Sequence, residues 1–334
     1  MGDSGESLLA LGVARLPIKA RGKIVLYDFF SSKTAEAAGA AFFDSSVNDL
    51  ARILGTPIQK HFAMSAIRSL AEKDAELAGK RNIRFVSRGD PAYPPLLLET
   101  YDPPVALFYR GKLPDPDAPL IAVVGTRRPS PSASASAFNI ARELGGLGYS
   151  VVSGLALGVD AMAHRGCLEA NAPTFAVLGS SPDEVYPTAN RVLARRVLER
   201  GGGLLSEYQP GTRPAKWRFP ARNRIISALA RGTLVVEAPE KSGALITARF
   251  ALEQNRDLWV VLTGSPVGKG SEKLAEQGAK VITSATGILK DWGRVIEKNE
   301  TNEGRSADGG ERGDEEGAFS PENSAAALMR DLGI

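Results

Sequence analysis

Two rhythms of apolar and polar positions divide the chain. Over the first 80 residues, apolar side chains recur at three- and four-residue spacings in 8–11, 35–41, 47–54 and 58–77, and strand-like alternation is scarce. That period predicts helices. Pro17, Gly22, Gly39, Gly55 and Pro57 punctuate the segments, so residues 1–80 are expected to form a small helical bundle. A short extended piece at 84–87 follows, then the turn-rich run Arg88-Gly89-Asp90-Pro91-Ala92-Tyr93-Pro94-Pro95 and an apolar strand within 103–111. The prolines there fix turns and polyproline-like extension. The two strands read as a hairpin or edge extension of the next domain.

From Leu120 the rhythm becomes strand, Gly-rich turn, helix. Strands are expected at 120–124, 150–153, 174–178, 204–206, 233–237, 258–262 and 280–283, and helices at 134–147, 158–169, 188–200, 222–230, 244–254 and 271–276. Apolar strands alternating with helices of about ten residues imply a parallel sheet covered on both faces. Right-handed crossovers make it doubly wound. The expected fold class is therefore α/β: a Rossmann-like doubly wound, mostly parallel sheet over residues 81–296, preceded by a small all-α N-terminal domain. Residues 298–317 hold almost no apolar side chain, so the segment 297–334 is expected to be largely disordered. One short amphipathic helix near 324–332 could interrupt it.

Composition adds an electrostatic asymmetry. The chain has 334 residues, 43% hydrophobic and 24% charged, enough for one large domain and a smaller one. Cys167 is its single cysteine, which excludes an intramolecular disulfide and a thiolate metal cluster and fits a reducing compartment. The first residues lack a signal-like apolar core, and no run of 18 apolar residues exists. No membrane span is expected, and a cytoplasmic location is. The net charge of +3 conceals a segment, 297–334, in which ten acids face four bases. A basic body joined to an acidic tail suggests a polyanionic partner.

The densest basic stretch is Lys216-Trp217-Arg218-Phe219-Pro220-Ala221-Arg222-Asn223-Arg224. From Tyr208 to Val236 there is no acid at all. Cations interleaved with aromatics suit single-stranded nucleic acid, the cations meeting phosphates and the rings stacking on bases. A solvated loop followed by a basic helix face is the alternative. In an extended loop, Trp217 and Phe219 would point one way and Lys216 and Arg218 the other.

In a doubly wound sheet, ligands sit beyond the carboxyl ends of the strands. There the sequence places Gly125-Thr126-Arg127, the run Ser153-Gly154-Leu155-Ala156-Leu157-Gly158, Gly179-Ser180-Ser181, Glu237 with Ser242-Gly243, and Gly264-Ser265. Small residues let backbone N–H groups approach an anion at a helix N-terminus, and Arg127 favours phosphate. No GxGxxG follows the first parallel strand and no GxxxxGK[ST] occurs, which argues against a dinucleotide site and a P-loop. Asp160, His164 and Cys167 share a helix face at i, i+4 and i+7. They could bind metal, act as an acid–base pair, or simply hydrogen-bond a neighbouring loop. Glu237 could be catalytic, or could cap a helix or pair with a nearby arginine.

Taken together, Gly125-Thr126-Arg127, Ser153 to Asp160 with His164, Val177-Leu178-Gly179, Tyr186-Pro187-x-x-Asn190, Leu205-Ser206-Glu207-Tyr208, Phe219-Pro220-x-Arg222-Asn223-Arg224-Ile225-Ile226-Ser227, Val236-Glu237-Ala238 and Ser242-Gly243-Ala244-Leu245-Ile246-Thr247-Ala248 resemble the DprA/Smf DNA-processing family. Asp90-Pro91-x-Tyr93-Pro94 and Asp102-Pro103-Pro104 resemble its leading segment. The likeness runs from about Asn82 to Thr283. It implies an extended Rossmann fold that binds single-stranded DNA, loads the RecA recombinase onto it during natural transformation, forms a homodimer, needs no cofactor and performs no catalytic turnover. Matched by motif, Gly125, Thr126 and Arg127 would hold phosphate, and Lys216 and Phe219 would meet backbone and base. Arg222 and Arg224 would line or support the pocket, and Gly243 and Thr247 would close it. Ser132-Ala133, Thr263-Gly264 and Glu272 depart from the family's usual residues. A nucleotide hydrolase using Glu237 and an arginine is the second function considered, though the Pro-Gly-Gly-x-Gly-Thr turn expected of such enzymes is absent.

Overall fold

The structure, a computed structural model, describes residues 4–264 and 268–293. The acidic segment 297–334, with its expected short helix, and Ser265 lie outside the described residues. Five helices come first: α1 (Ser4–Arg15), α2 (Ala20–Ser31), α3 (Ala35–Asp44), α4 (Val47–Leu54) and α5 (Met64–Lys80). Helix α4 has a Ser46/Asp49 capping box at its start and Gly55 in the left-handed conformation at its end, the expected start and stop chemistry. Gly22 and Gly39, expected as breaks, lie inside α2 and α3. Gly39 serves close packing: a Cβ there would stand 2.6 Å from the carbonyl oxygen of Gly5 on α1. Helix α2 itself was not anticipated.

The chain then forms β1 (Arg84–Ser87), the short α6 (Pro95–Leu98) and β2 (Ala106–Gly111). Strand β1 pairs antiparallel with β2, with Arg84 opposite Tyr109. Pro94-Pro95, read as polyproline-like, instead leads into one helical turn, Pro95 taking a first-turn position where its missing N–H costs nothing. The bundle does not stand apart from this hairpin. Leu9, Phe30, Phe42 and Ile67 share one apolar core with Ile83, Val105, Ala106 and Phe108. Tyr27 donates to Glu6 at 2.5 Å and accepts from the Gly89 N–H at 3.1 Å.

The remaining elements follow the expected alternation: β3 (Leu120–Gly125), α7 (Pro131–Gly146), β4 (Ser150–Ser153), α8 (Val159–Glu169), β5 (Thr174–Val177), α9 (Arg191–Glu199), β6 (Gly203–Ser206), α10 (Arg218–Leu229), β7 (Gly232–Val236), α11 (Gly243–Glu253), β8 (Asp257–Val261), α12 (Lys269–Glu276), β9 (Lys280–Val281) and α13 (Ala285–Asp291). A 3₁₀ turn, Thr188–Asn190, replaces the first turn of the helix expected at 188–200. The strand order is β1-β2-β6-β5-β4-β3-β7-β8-β9. From β6 to β9 every pairing is parallel; only the β1–β2 hairpin, joined antiparallel to β6, departs. This is the expected doubly wound α/β sheet with an edge hairpin. Along β3, Ala122 and Val124 face one core and Ile121 and Val123 the other, so the strand is apolar throughout rather than alternating. Among the described residues no helix is long and apolar enough to cross a membrane.

Helix α13 was also missed. Its end is pinned by an aromatic cluster in which Trp292 lies edge-on to Trp259 and stacks on Tyr149, while the Trp259 indole N–H donates to Asp291 at 2.8 Å.

Candidate nucleic-acid interface

The strand order reverses between β3 and β7, which leave that point in opposite directions across the sheet. In doubly wound sheets such a reversal is where a ligand crevice forms, beyond the carboxyl ends of the strands. Gly125, Thr126 and Arg127 leave β3 at its lip. Gly125 must be small, since a Cβ would collide with the Val236 carbonyl on β7 and with Val159 on α8. Thr126 is locked by its backbone: its N–H donates to the Glu237 carbonyl at 3.0 Å, and its own carbonyl accepts from the Val159 N–H at 3.2 Å. Its hydroxyl accepts from the Arg128 N–H at 3.2 Å. Arg127 is left exposed, with no ion pair among the described residues.

Helix α10 brings the second half of the site. It starts at Arg218, four residues earlier than the expected 222–230 helix, because Pro220 falls within the first helical turn and has no N–H to waste there. Trp217 already has helical backbone angles. The extended-loop geometry for 216–219 is therefore corrected: Trp217 and Phe219 do not share a side. Phe219 turns toward the crevice. Its ring lies under the Arg127 guanidinium at 6.0 Å, beside Tyr186 at 5.5 Å, and against Gly179 at the end of β5. A Cβ on Gly179 would stand 2.8 Å from that ring. Trp217, 64% exposed, instead meets the Tyr208 edge at 6.2 Å. Lys216 is exposed just ahead of the helix and has no partner among the described residues.

Arg222 and Arg224, two residues apart on the same helix, point inward. Arg222 is 4% exposed. It donates to the Gly154 carbonyl at 2.8 Å, to the Val177 carbonyl, and to Asn223 at 3.2 Å. Burial lowers its pKa to about 10 against the opposing pull of Asp160. Asp160 grips the same loop from the other side, accepting from the Gly154 and Ala156 N–H groups at 3.1 and 3.3 Å. Burial raises its carboxyl above the usual range. Arg224 pairs with Asp102 at 3.0 Å and Glu207 at 2.8 Å. Burial would lower its pKa, but the two carboxylates hold it above the ordinary value. Neither arginine offers its charge to solvent; both brace the walls.

Gly243 opens α11 at an exposed position, and its carbonyl accepts from Asn223 at 3.0 Å. Thr247 is 1% exposed and its hydroxyl donates back to that same carbonyl at 3.3 Å. Thr247 thus holds the turn from within. Asn223, Tyr186 and Arg218 were not singled out from the sequence as site residues. Their motif context was visible, but which way each side chain turns depends on where α10 begins.

The polar residues with open readings resolve into local contacts. The Glu237 carboxylate accepts from both the N–H and the hydroxyl of Ser130, at 2.8 and 2.6 Å, and so ties the Arg127 loop to the cap of α7. The Thr174 hydroxyl donates to the Val151 carbonyl at 2.8 Å, so His164 donates to Thr174 through Nδ1 at 2.8 Å. Nε2 is then the bare nitrogen, buried and without a partner among the described residues. Burial, with Arg222 nearby, lowers the His164 pKa to about 3. Cys167 turns to the Pro173 carbonyl at 3.2 Å, and burial pushes its thiol up to about 11. The three side chains make separate contacts, and among the described residues no group of three or more ligand-type side chains could hold a metal ion.

Residues 84–293 match the family model described as DNA recombination-mediator protein A. The chain belongs to that family. Among relatives of the DNA recombination-mediator protein A family, Protein Smf of Synechocystis is 42% identical over 222 residues, 65% of this chain and 56% of that protein. The chain therefore matches little more than half of that relative's length. DNA processing protein DprA of Bacillus subtilis is 39% identical over 216 residues, 64% of this chain and 72% of that one. The crystal structure of DNA processing protein A from Streptococcus pneumoniae superimposes with a TM-score of 0.69 at 32% identity, covering 87% of this chain and 99% of that one. DNA processing protein A from Helicobacter pylori, whose structure is described by its single-stranded DNA binding mode, gives 0.57 at 31% identity over 64% of this chain and 97% of that one.

Proposed function

We propose that the crevice at the β3–β7 reversal binds single-stranded DNA and that the protein delivers the bound strand to the RecA recombinase. The observation that carries the reading is the exposed Arg127 guanidinium over the Phe219 ring, with Lys216 exposed just ahead of the helix that carries Phe219. A cation and a ring at one spot serve a phosphate and a base together. Gly125 and Thr126 shape the loop that presents Arg127, and Phe219 offers the stacking ring. Arg222 and Arg224 stiffen the walls from behind, while Gly243 and Thr247 close the far side through Asn223. The Helicobacter pylori relative's described binding of single-stranded DNA supports the ligand class.

Direct base-edge readout is not expected, because the exposed groups are a guanidinium, an ammonium and a ring face rather than a convergent set of neutral donors and acceptors. The protein acts as a binding protein without turnover. Glu237 is already engaged by Ser130 in a capping role, so it is a poor candidate for hydrolysing a nucleotide. A cytoplasmic homodimer that passes its strand to RecA during DNA uptake completes the proposal.

The test is a mobility shift with a labelled poly-dT strand at low salt. A shift that weakens steeply as salt rises supports the reading, and no shift at low salt sinks it. Delivery to RecA is checked by adding the protein to RecA and a strand coated with single-strand-binding protein. RecA's DNA-dependent ATP hydrolysis should start sooner, and an unchanged lag counts against delivery. Light scattering reports the mass in solution and so tests the homodimer.

A further inference from the structure

A cleft of about 470 Å³ lies where the N-terminal bundle meets the sheet, away from the Arg127–Phe219 stack. Its size falls within the roughly 300–1,000 Å³ of small-ligand pockets. Ile18 and Lys23 line it from the bundle, Asp102 and Glu207 from the sheet side, and Trp217 and Arg224 from α10. Its polar wall is already engaged: Arg224 is nine-tenths buried, its Nε and Nη2 hold Asp102 and Glu207, and its Nη1 is itself sealed from solvent. What the cleft offers a ligand is a ring. Trp217, the ring at the cleft, is 64% exposed. It is held rather than loose: the Arg218 guanidinium lies 5.0 Å from its ring and 4.8 Å from that of Tyr208.

The wall chemistry selects a ligand class. Asp102 and Glu207 are paired with Arg224, and Lys23 and Arg218 also line the cleft, so its charges largely offset one another and the exposed Trp217 ring is the group left to recognise a ligand. Such a ring stacks on a nucleobase whatever its sequence. The first turn of α10 sends Phe219 to one side and Trp217 to the other, so a strand crossing that turn would reach both. We propose that Trp217 and the cleft behind it form a second base subsite for the single strand, with Trp217 as the stacking ring and the Arg224–Asp102–Glu207 cluster fixing the wall behind it. The inference rests on the DNA-binding reading and extends it by a site on the opposite side of the helix.

The experiment compares the full chain with Trp217→Ala, using a labelled single-stranded oligonucleotide of mixed bases and a matched strand carrying abasic sites, and follows both affinity and tryptophan emission. Trp217 is exposed, so the variant should melt with the wild type. The expected result is quenching of emission on binding by the wild type, and affinity for the intact strand weakened roughly 5- to 100-fold in Trp217→Ala. The abasic strand should bind the two proteins alike. Equal affinity of the two proteins for the intact strand overturns the proposal, as does an equal loss on the abasic strand. If Arg127→Ala weakens binding while Trp217→Ala does not, the DNA-binding reading survives and the second subsite fails. If the wild type does not bind either strand, both fail together.

Discussion

Two sets of cations gather around the start of α10 and do opposite things. Arg222 and Arg224 are buried, hydrogen-bonded to strand-end carbonyls or paired with acids, and hold the walls of the crevice. Lys216 and Arg127 are exposed, and neither has an ion pair among the described residues. The acid-free window from Tyr208 to Val236 suggested one continuous unpaired patch. In the fold, Asp102, Glu207 and Asp160 arrive from outside the window and take up the inner arginines. Local charge density therefore overstates what is offered to a ligand; the direction in which each side chain leaves the backbone decides.

The comparison breaks most visibly at Arg224. Arg224→Ala leaves Asp102 and Glu207 without their partner in a partly buried site, and unfolding in urea should show a loss of about 3–5 kcal/mol. An unchanged midpoint combined with lost DNA binding would move Arg224 into the outward set.

Acid should act next on the buried His164 near Arg222. His164 has its pKa lowered to about 3 by burial, so the unfolded chain, near the ordinary 6.5, takes up the proton first. The stability from the neutral ring is complete above about pH 6.5 and is lost as pH falls toward 3, on the order of 4 kcal/mol over that window. His164→Leu should flatten this part of the stability–pH curve, read by thermal melts from pH 7 to 4. A curve identical to the wild type's would remove His164 from the account.

Outward residues should show the reverse pattern. Arg127→Ala and Phe219→Ala each weaken single-stranded DNA binding by about 1–3 kcal/mol. Arg127→Ala should leave the melting temperature unchanged. The smallest effect is on salt dependence. Removing Lys216 should reduce the slope of log affinity against log salt by about 0.7, the value for one phosphate contact on a single strand. A slope that does not move places Lys216 off the DNA.

The parallel sheet is legible because its strands are apolar runs between Gly-rich turns, and the expected strand at 150–153 has the bounds found in the fold. The hairpin was legible too, as an edge addition. Helices α2 and α13 were missed for a physical reason. In α2 the apolar residues Ile24, Leu26, Tyr27 and Phe30 sit behind Gly22, and in α13 the packing comes from Trp292 stacking on distant aromatics. Gly39 looked like a break because only the neighbouring helix shows why a side chain cannot fit there. At the site, motif spacing placed Arg127, Phe219 and Gly243 around α10. It could not place Trp217 opposite Phe219, because that depends on Pro220 opening the helix rather than ending the loop. Nor could it reveal that Arg222 faces inward, since that depends on the Gly154 carbonyl, remote in sequence.

The most direct test of the division between inner and outer cations is equilibrium binding of a labelled dT oligonucleotide, at low salt, to the doubly substituted Arg127→Ala/Lys216→Ala protein, with its melt recorded alongside. The predicted result is a wild-type melting temperature and an affinity weakened by more than about 10-fold. Wild-type affinity in that folded protein would contradict the account.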